Sequence, residues 1–190
     1  CLLAIWCFVS FLEIRWLSVG RASKGVVSFA LTGGSSLVKQ VREKYTIDQK
    51  WIHGFDSWQG LPEDWNHGTG KVADMSCDPP DVPDHVQLHK GWFKDTLPVW
   101  KQNNAGPIAF LHMDADIYSS TKEVLLSLND RIVPGTVITF DEFCNFRLTG
   151  KMRRWQNQEF LALVEWLDEC QREVRPINRN WAYQASCVVL

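Results

Sequence analysis

The chain has 190 residues, 45% hydrophobic and 22% charged, which suits one globular domain burying roughly two-thirds of its unfolded surface. Its formal net charge is -2 with no long run of one sign, which argues against nucleic-acid or membrane-surface binding by charge. Six cysteines (1, 7, 77, 144, 170 and 187) form no C-x-x-C pair, so neither a zinc knuckle nor a dense disulfide scaffold is indicated; reduced, mostly buried thiols in a cytoplasmic protein are expected.

The first 24 residues stand apart as an N-terminal segment, with residues 25–190 as the domain. "CLLAIWCFVSFL" is apolar until Glu13 and Arg15, shorter than the roughly 20 residues a bilayer span needs. It has neither the basic start nor the small-residue cleavage site of a signal peptide. A packed helix is the expectation, with a truncated anchor as the other reading; the lack of an initiating Met leaves a fragment open.

From Gly25 strands and helices alternate. "GVVSFAL" reads as a strand, "TGGSS" as a loop, and Leu37, Val38, Val41 and Tyr45 share one helical face. "KWIHGF" is a second strand, ending at Asp56. The segment 57–84, polar with Gly and Pro, is long enough to be a functional loop. "HVQLH" is a third strand, "DTLPVWKQ" a short helix or turn, and "PIAFLHMD" a fourth strand. A helix over 118–130 is predicted, with Ser120 and Glu123 in capping-box spacing. "GTVITFD" is a fifth strand. A helix over 155–172 carries Phe160, Leu163, Val164 and Leu167 as its apolar stripe. "EVRPINRNWAYQASCVVL" reads as a terminal pair of strands joined by a polar turn, close enough for a hairpin. The alternation predicts an α/β fold, its sheet mostly parallel and covered on both faces.

Ligands of open α/β sheets bind beyond the carboxyl ends of the strands. Here those ends carry Gly33-Gly34-Ser35-Ser36, Asp56-Ser57, His89-Lys90-Gly91-Trp92, Asp114, and Asp141-Glu142. The glycines admit close approach to the backbone, and the serines are good N-caps, so a plain βα turn competes with a binding loop. Asp56 stands where an acid would hold ribose hydroxyls, or else it forms a turn before Ser57. Neighbouring fourth and fifth strands would crowd Asp114, Asp141 and Glu142 together, and a divalent cation such as Mg²⁺ would relieve their repulsion. The competing account is a helix cap or a pairing with Arg153 or Arg154. Asp116 is read as either a turn acid or a substrate contact.

"GFDSWQGLPEDW", "KGWFKDTLP", "LHMDADIYSSTKEVLLSL" and "IVPGTVITFDEF", with the later "RRWQNQEFLALVEWL", together resemble the macrocin O-methyltransferase (TylF/MycF-like) group of class I S-adenosylmethionine-dependent methyltransferases. The resemblance runs from about Gly25 to the C-terminus. It implies a Rossmann-like seven-stranded sheet ordered 3-2-1-4-5-7-6 with the seventh strand antiparallel. It also implies that Gly33, Gly34, Ser35 and Ser36 hold the cofactor's methionine part, that Asp56 with Ser57 holds its ribose, and that Gly91 and Trp92 lie near the adenine. Asp114, Asp141 and Glu142 match the family's metal-binding acids. Two departures stand out: Ser28-Phe29-Ala30-Leu31 replaces the family's frequent E-F-G-V, and residues 1–24 have no clear match to its N-terminal helices.

The implied reaction is a metal-assisted O-methylation of a hydroxyl on a small molecule (sugar, polyketide or phenolic), with Asp114 as general base and His112 and His89 as rival bases. Trp58, Trp65 and Trp92 are candidates for stacking on the substrate, whereas Trp166 and Trp51 are expected in the core. Two alternatives stay open: a metal-dependent glycosyltransferase using Asp114 and Asp116 as D-x-D, and a non-catalytic binding protein on the same fold. Nucleic-acid and membrane partners are not expected, and the oligomeric state is not readable.

Overall fold

A computed structural model describes residues 52–65, 71–73, 75–82, 86–144, 155–179 and 183–190, and the backbone alone of 25–29. The N-terminal segment, the loop Gly33–Ser36, the helix expected after it, Trp51, Arg153 and Arg154 lie outside the described residues. Seven strands are present: β1 (Gly25–Phe29), β2 (Ile52–Asp56), β3 (Val86–Lys90), β4 (Ile108–Met113), β5 (Ile132–Phe140), β6 (Val174–Arg179) and β7 (Ala185–Val189). They form one sheet in the order β3-β2-β1-β4-β5-β7-β6. β1 to β5 pair in parallel, while β7 runs antiparallel to both β5 and β6, so the fold is α/β with a mixed sheet.

Three described helices pack on the sheet: α1 (Phe93–Asn103), α2 (Tyr118–Ser127) and α3 (Glu159–Glu169), the last preceded by a 3₁₀ turn over Trp155–Asn157. One core joins them to the sheet. Leu97 and Trp100 of α1, Val124 and Leu125 of α2 and Leu163 and Trp166 of α3 meet Phe55, Leu111, Met113, Ile138 and Phe140. The strand residues alternate along β4 and β5 because successive side chains point to opposite faces of a sheet.

Three local expectations change. The capping box at Ser120 and Glu123 is not used. α2 starts at Tyr118 without a side-chain cap of its own, and the Tyr118 N–H donates to Gln158 Oε1 at 2.7 Å. The stripe of α3 is rotated: Glu159, Ala162, Leu163 and Trp166 are buried, and Val164 is exposed. β5 begins at Ile132, three residues before the predicted run. Its register shifts there against β4, and the buried Thr136 hydroxyl bridges the irregularity by accepting from Val133 N–H at 3.0 Å and donating to Ile108 O at 2.7 Å. At the far edge, β6 is largely exposed, contains Pro176, and slips register against β7 between Pro176 and Asn178. Among the described residues no helix is long and apolar enough to cross a membrane. Cys77, Cys144, Cys170 and Cys187 are free thiols; Cys144 and Cys187 are buried, Cys77 is exposed.

Candidate active site

β4 and β5 are neighbours in parallel, and Met113 aligns with Phe140. The chain leaves β4 through Asp114, Ala115 and Asp116, and leaves β5 through Asp141 and Glu142. Asp116 adopts a left-handed conformation (φ 60), which short polar side chains tolerate better than most. The Asp141 N–H donates to Met113 O at 3.0 Å, extending the strand pairing into the turns themselves.

Asp114, Asp116 and Glu142 each place a carboxylate oxygen within 4.8 Å of the others. Asp116 thus stands in the triplet where the sequence put Asp141. The Asp141 Oδ1 instead accepts from Gln184 Nε2, reached from just before β7. A further acid that the sequence did not single out completes the neighbourhood: Glu159, fully buried at the start of α3, accepts the Glu142 N–H on Oε2 at 3.0 Å.

Burial and the repulsion of neighbouring carboxylates push Asp116, Glu142 and Glu159 toward the protonated form. Burial first, then Asp141 and Asp56, raises Asp116 to about 6, while a hydrogen bond with Glu142 works the other way. Glu142 is pushed up to about 11, by burial first and then by Asp116, Glu159, Asp141 and Asp114. Glu159 also lies well above its ordinary value, from burial first and then Asp114 and Asp116. Glu142 Oε2 and Glu159 Oε1 are buried with no hydrogen-bond partner among the described residues. Hard, all-oxygen donors with unpartnered buried atoms fit a divalent cation of the Mg²⁺ or Mn²⁺ kind.

The second half of the site lies at the ends of β2 and β3. Asp56 Oδ1 accepts the Trp58 N–H at 2.7 Å, and Ser57 Oγ accepts the Gln59 N–H at 3.0 Å, so the turn role read for Asp56 is present in the structure. Burial raises Asp56, partly offset by the backbone donors of Trp58 and Ser57. Asp56 O accepts the Gly91 N–H at 2.9 Å, which ties the two loops together. Gly91 has φ +142, and a Cβ there would sit 3.0 Å from Thr96 Cγ2. Trp92 caps α1 through its backbone, with Thr96 Oγ1 donating to Trp92 O at 3.0 Å.

The remaining candidates divide. Trp58 is buried, against a stacking role, and Trp166 is fully buried as expected. His112 is pushed down by burial, partly offset by Asp141. His89 lies on β3 in a separate cluster, its Nε2 3.0 Å from His53 Nδ1 and its ring stacked on Phe55.

The family model for macrocin-O-methyltransferase (TylF) matches residues 81–168, which contain α1, β4, α2, β5 and the triplet of acids. Over that stretch the chain is similar to this family. The mycinamicin III 3''-O-methyltransferase of Micromonospora griseorubida is 26% identical over 133 residues, 59% of this chain and 51% of that protein. The demethyldecarbamoylnovobiocin O-methyltransferase of Streptomyces niveus is 26% identical over 130 residues, 58% of this chain and 48% of that protein. The chain therefore spans about half the length of these curated relatives. In fold it is similar to the calicheamicin methyltransferase CalS11 (TM-score 0.65, 20% identity, covering 87% of this chain and 72% of that one). It is likewise similar to the O-methyltransferase NovP (TM-score 0.61, 19% identity, covering 87% and 71%).

Proposed function

We propose that this chain is an S-adenosylmethionine-dependent O-methyltransferase that methylates a hydroxyl of a small molecule, a glycoside sugar foremost, with the help of a divalent cation. The observation that carries the reading is the triplet Asp114, Asp116 and Glu142 at the carboxyl ends of β4 and β5, beside the Asp56–Gly91 pair at the ends of β2 and β3. The sheet order supports the finer fold assignment, a class I methyltransferase sandwich. The sugar acceptor is suggested by the relatives, whose names include a 3''-O-methyltransferase of mycinamicin III and a 4'-O-methyltransferase of a rhamnosyl tetracenomycin.

S-adenosylmethionine supplies an electrophilic methyl group on a sulfonium, and the cation, when bound, lowers the pKa of the acceptor hydroxyl and fixes its direction. Asp114, Asp116 and Glu142 would hold the cation, with Asp141 kept beside them by Gln184. Asp114 would take the hydroxyl proton onto its carboxylate as general base. Asp56 and Ser57 would face the ribose, Gly91 and Trp92 the adenine, and Gly33 to Ser36 the methionine part. The Ser119 hydroxyl donates to Glu63 Oε1 at 2.7 Å and so fastens the loop after β2 to the start of α2. That restraint would help to keep acceptor oxygen and methyl in line.

Calorimetric titration with S-adenosylhomocysteine, with and without Mg²⁺ and with UDP as a control, tests the reading. Micromolar binding of S-adenosylhomocysteine, lost in Asp56→Ala, is the expected result. Binding of UDP with metal in its place, or of neither, would refute it.

A further inference from the structure

Gln158 and Glu159 are consecutive, both buried, and each holds one of the two turns that carry the acids. Gln158 Oε1 accepts the Tyr118 N–H at 2.7 Å, two residues beyond Asp116. Glu159 Oε2 accepts the Glu142 N–H at 3.0 Å. The start of α3 therefore straps the β4 turn to the β5 turn. Glu159 has a second feature that a strap does not need. Its Oε1 is buried without a hydrogen-bond partner among the described residues, and the charges of Asp114, Asp116 and Asp141 all act on it. A neutral glutamine could make the same bond to the Glu142 amide without adding a carboxylate to a crowd of them.

We propose that Glu159 is a positioning residue of the cation site: through the Glu142 amide it fixes the carboxylate of Glu142, and it stands as a fourth acid behind Asp114, Asp116 and Glu142. The inference rests on the cation part of the proposed function and on no assumption about the methyl acceptor. Carboxylates behind the direct ligands of a metal orient those ligands and strengthen their hold, and removing one commonly weakens binding by roughly 10- to 100-fold.

Two substitutions separate the roles. Glu159→Gln keeps shape and an acceptor for Glu142 but loses the charge, whereas Glu159→Leu loses both. Mn²⁺ binding to the full chain is read from the electron paramagnetic resonance of the free ion, and thermal unfolding without metal is followed alongside. Glu159→Gln should bind Mn²⁺ about tenfold more weakly and Glu159→Leu about a hundredfold more weakly. Metal-free stability should hold or rise in Glu159→Gln, which sheds a buried carboxylate and keeps an acceptor for the Glu142 N–H, and should fall in Glu159→Leu, which leaves that N–H unpaired. Weaker Mn²⁺ binding together with undiminished stability in Glu159→Gln is a pattern that a packing role cannot give. Glu159→Gln binding Mn²⁺ within twofold of the unaltered chain overturns the proposal, as does equal affinity of the two variants. If the unaltered chain fails to take up Mn²⁺, the cation reading falls and this inference with it. S-adenosylhomocysteine binding, measured separately, would then tell whether the methyltransferase reading survives.

Discussion

Asp116→Asn should stabilise the metal-free protein at neutral and higher pH. Asp116 has a folded-state pKa of about 6 against an ordinary 3.8, so the folded state holds its proton more tightly than the unfolded one. The contribution is favourable and complete below about pH 4, and it is lost as pH rises toward 6, where the folded carboxyl ionises. At about 1.4 kcal/mol per unit, the shift corresponds to about 3 kcal/mol of stability forgone above pH 6. Asparagine never bears that charge, and it is among the side chains that best tolerate the left-handed backbone at this position. For a chain of this length, about 3 kcal/mol raises Tm by roughly 6–12 °C. Circular dichroism melts of both proteins, in chelator at about pH 8 and about pH 4, give the comparison, and the gain should fade at the lower pH. Saturating Mg²⁺ should then favour the unaltered chain, since a ligand at 100 times its Kd adds about 2.7 kcal/mol only where it binds. A variant no more stable at pH 8, or equally shifted at both pH values, would refute the reasoning.

Gly91→Ala should cost about 1–3 kcal/mol in urea unfolding, because φ is +142 and the new Cβ would meet Thr96, and it should weaken S-adenosylhomocysteine binding in the same sample. Gln158→Ala removes the acceptor for the Tyr118 N–H and should lower the urea-derived stability by about 1 kcal/mol. His53 is held down at about 4 by burial first and by the neighbouring His89 second, so its contribution is present above about pH 6.5 and lost as pH falls toward 4. A His53→Gln variant should show a shallower fall of Tm over that window.

The alternation of strands and helices was legible because apolar runs of four to eight residues recur between polar turns, and each such run from "KWIHGF" onward coincides with a described strand. The acids were legible as strand-end residues, since Asp114, Asp141 and Glu142 follow apolar runs directly. Their division of labour was not. Asp116 joins the triplet through a left-handed turn, and Asp141 is drawn to Gln184, a partner 43 positions away. The same cause defeated the capping box. Ser120 and Glu123 have the right spacing, but Gln158 supplies the acceptor from across the fold, and α2 starts three residues earlier than that box would place it. Glu159 stands in the first turn of α3, where helix dipoles favour an acid and nothing in the residue pattern sets it apart. Only the rotation of the α3 stripe by one position turned it inward.

The outer strand of the sheet has a consequence for how copies of the chain meet. A second molecule could extend the sheet at either of its edges, β3 or β6, and at β6 the offer is poor. Pro176 lacks an N–H, and beyond it the backbone steps out of register with β7, so no unbroken ladder of donors and acceptors is offered. Arg175 and Arg179 add like charges that a copy of the same strand would have to face. These are devices by which sheet proteins discourage edge-to-edge aggregation. At this edge, pairing between copies is therefore discouraged, and β6 can lie largely exposed without offering a template for a further strand.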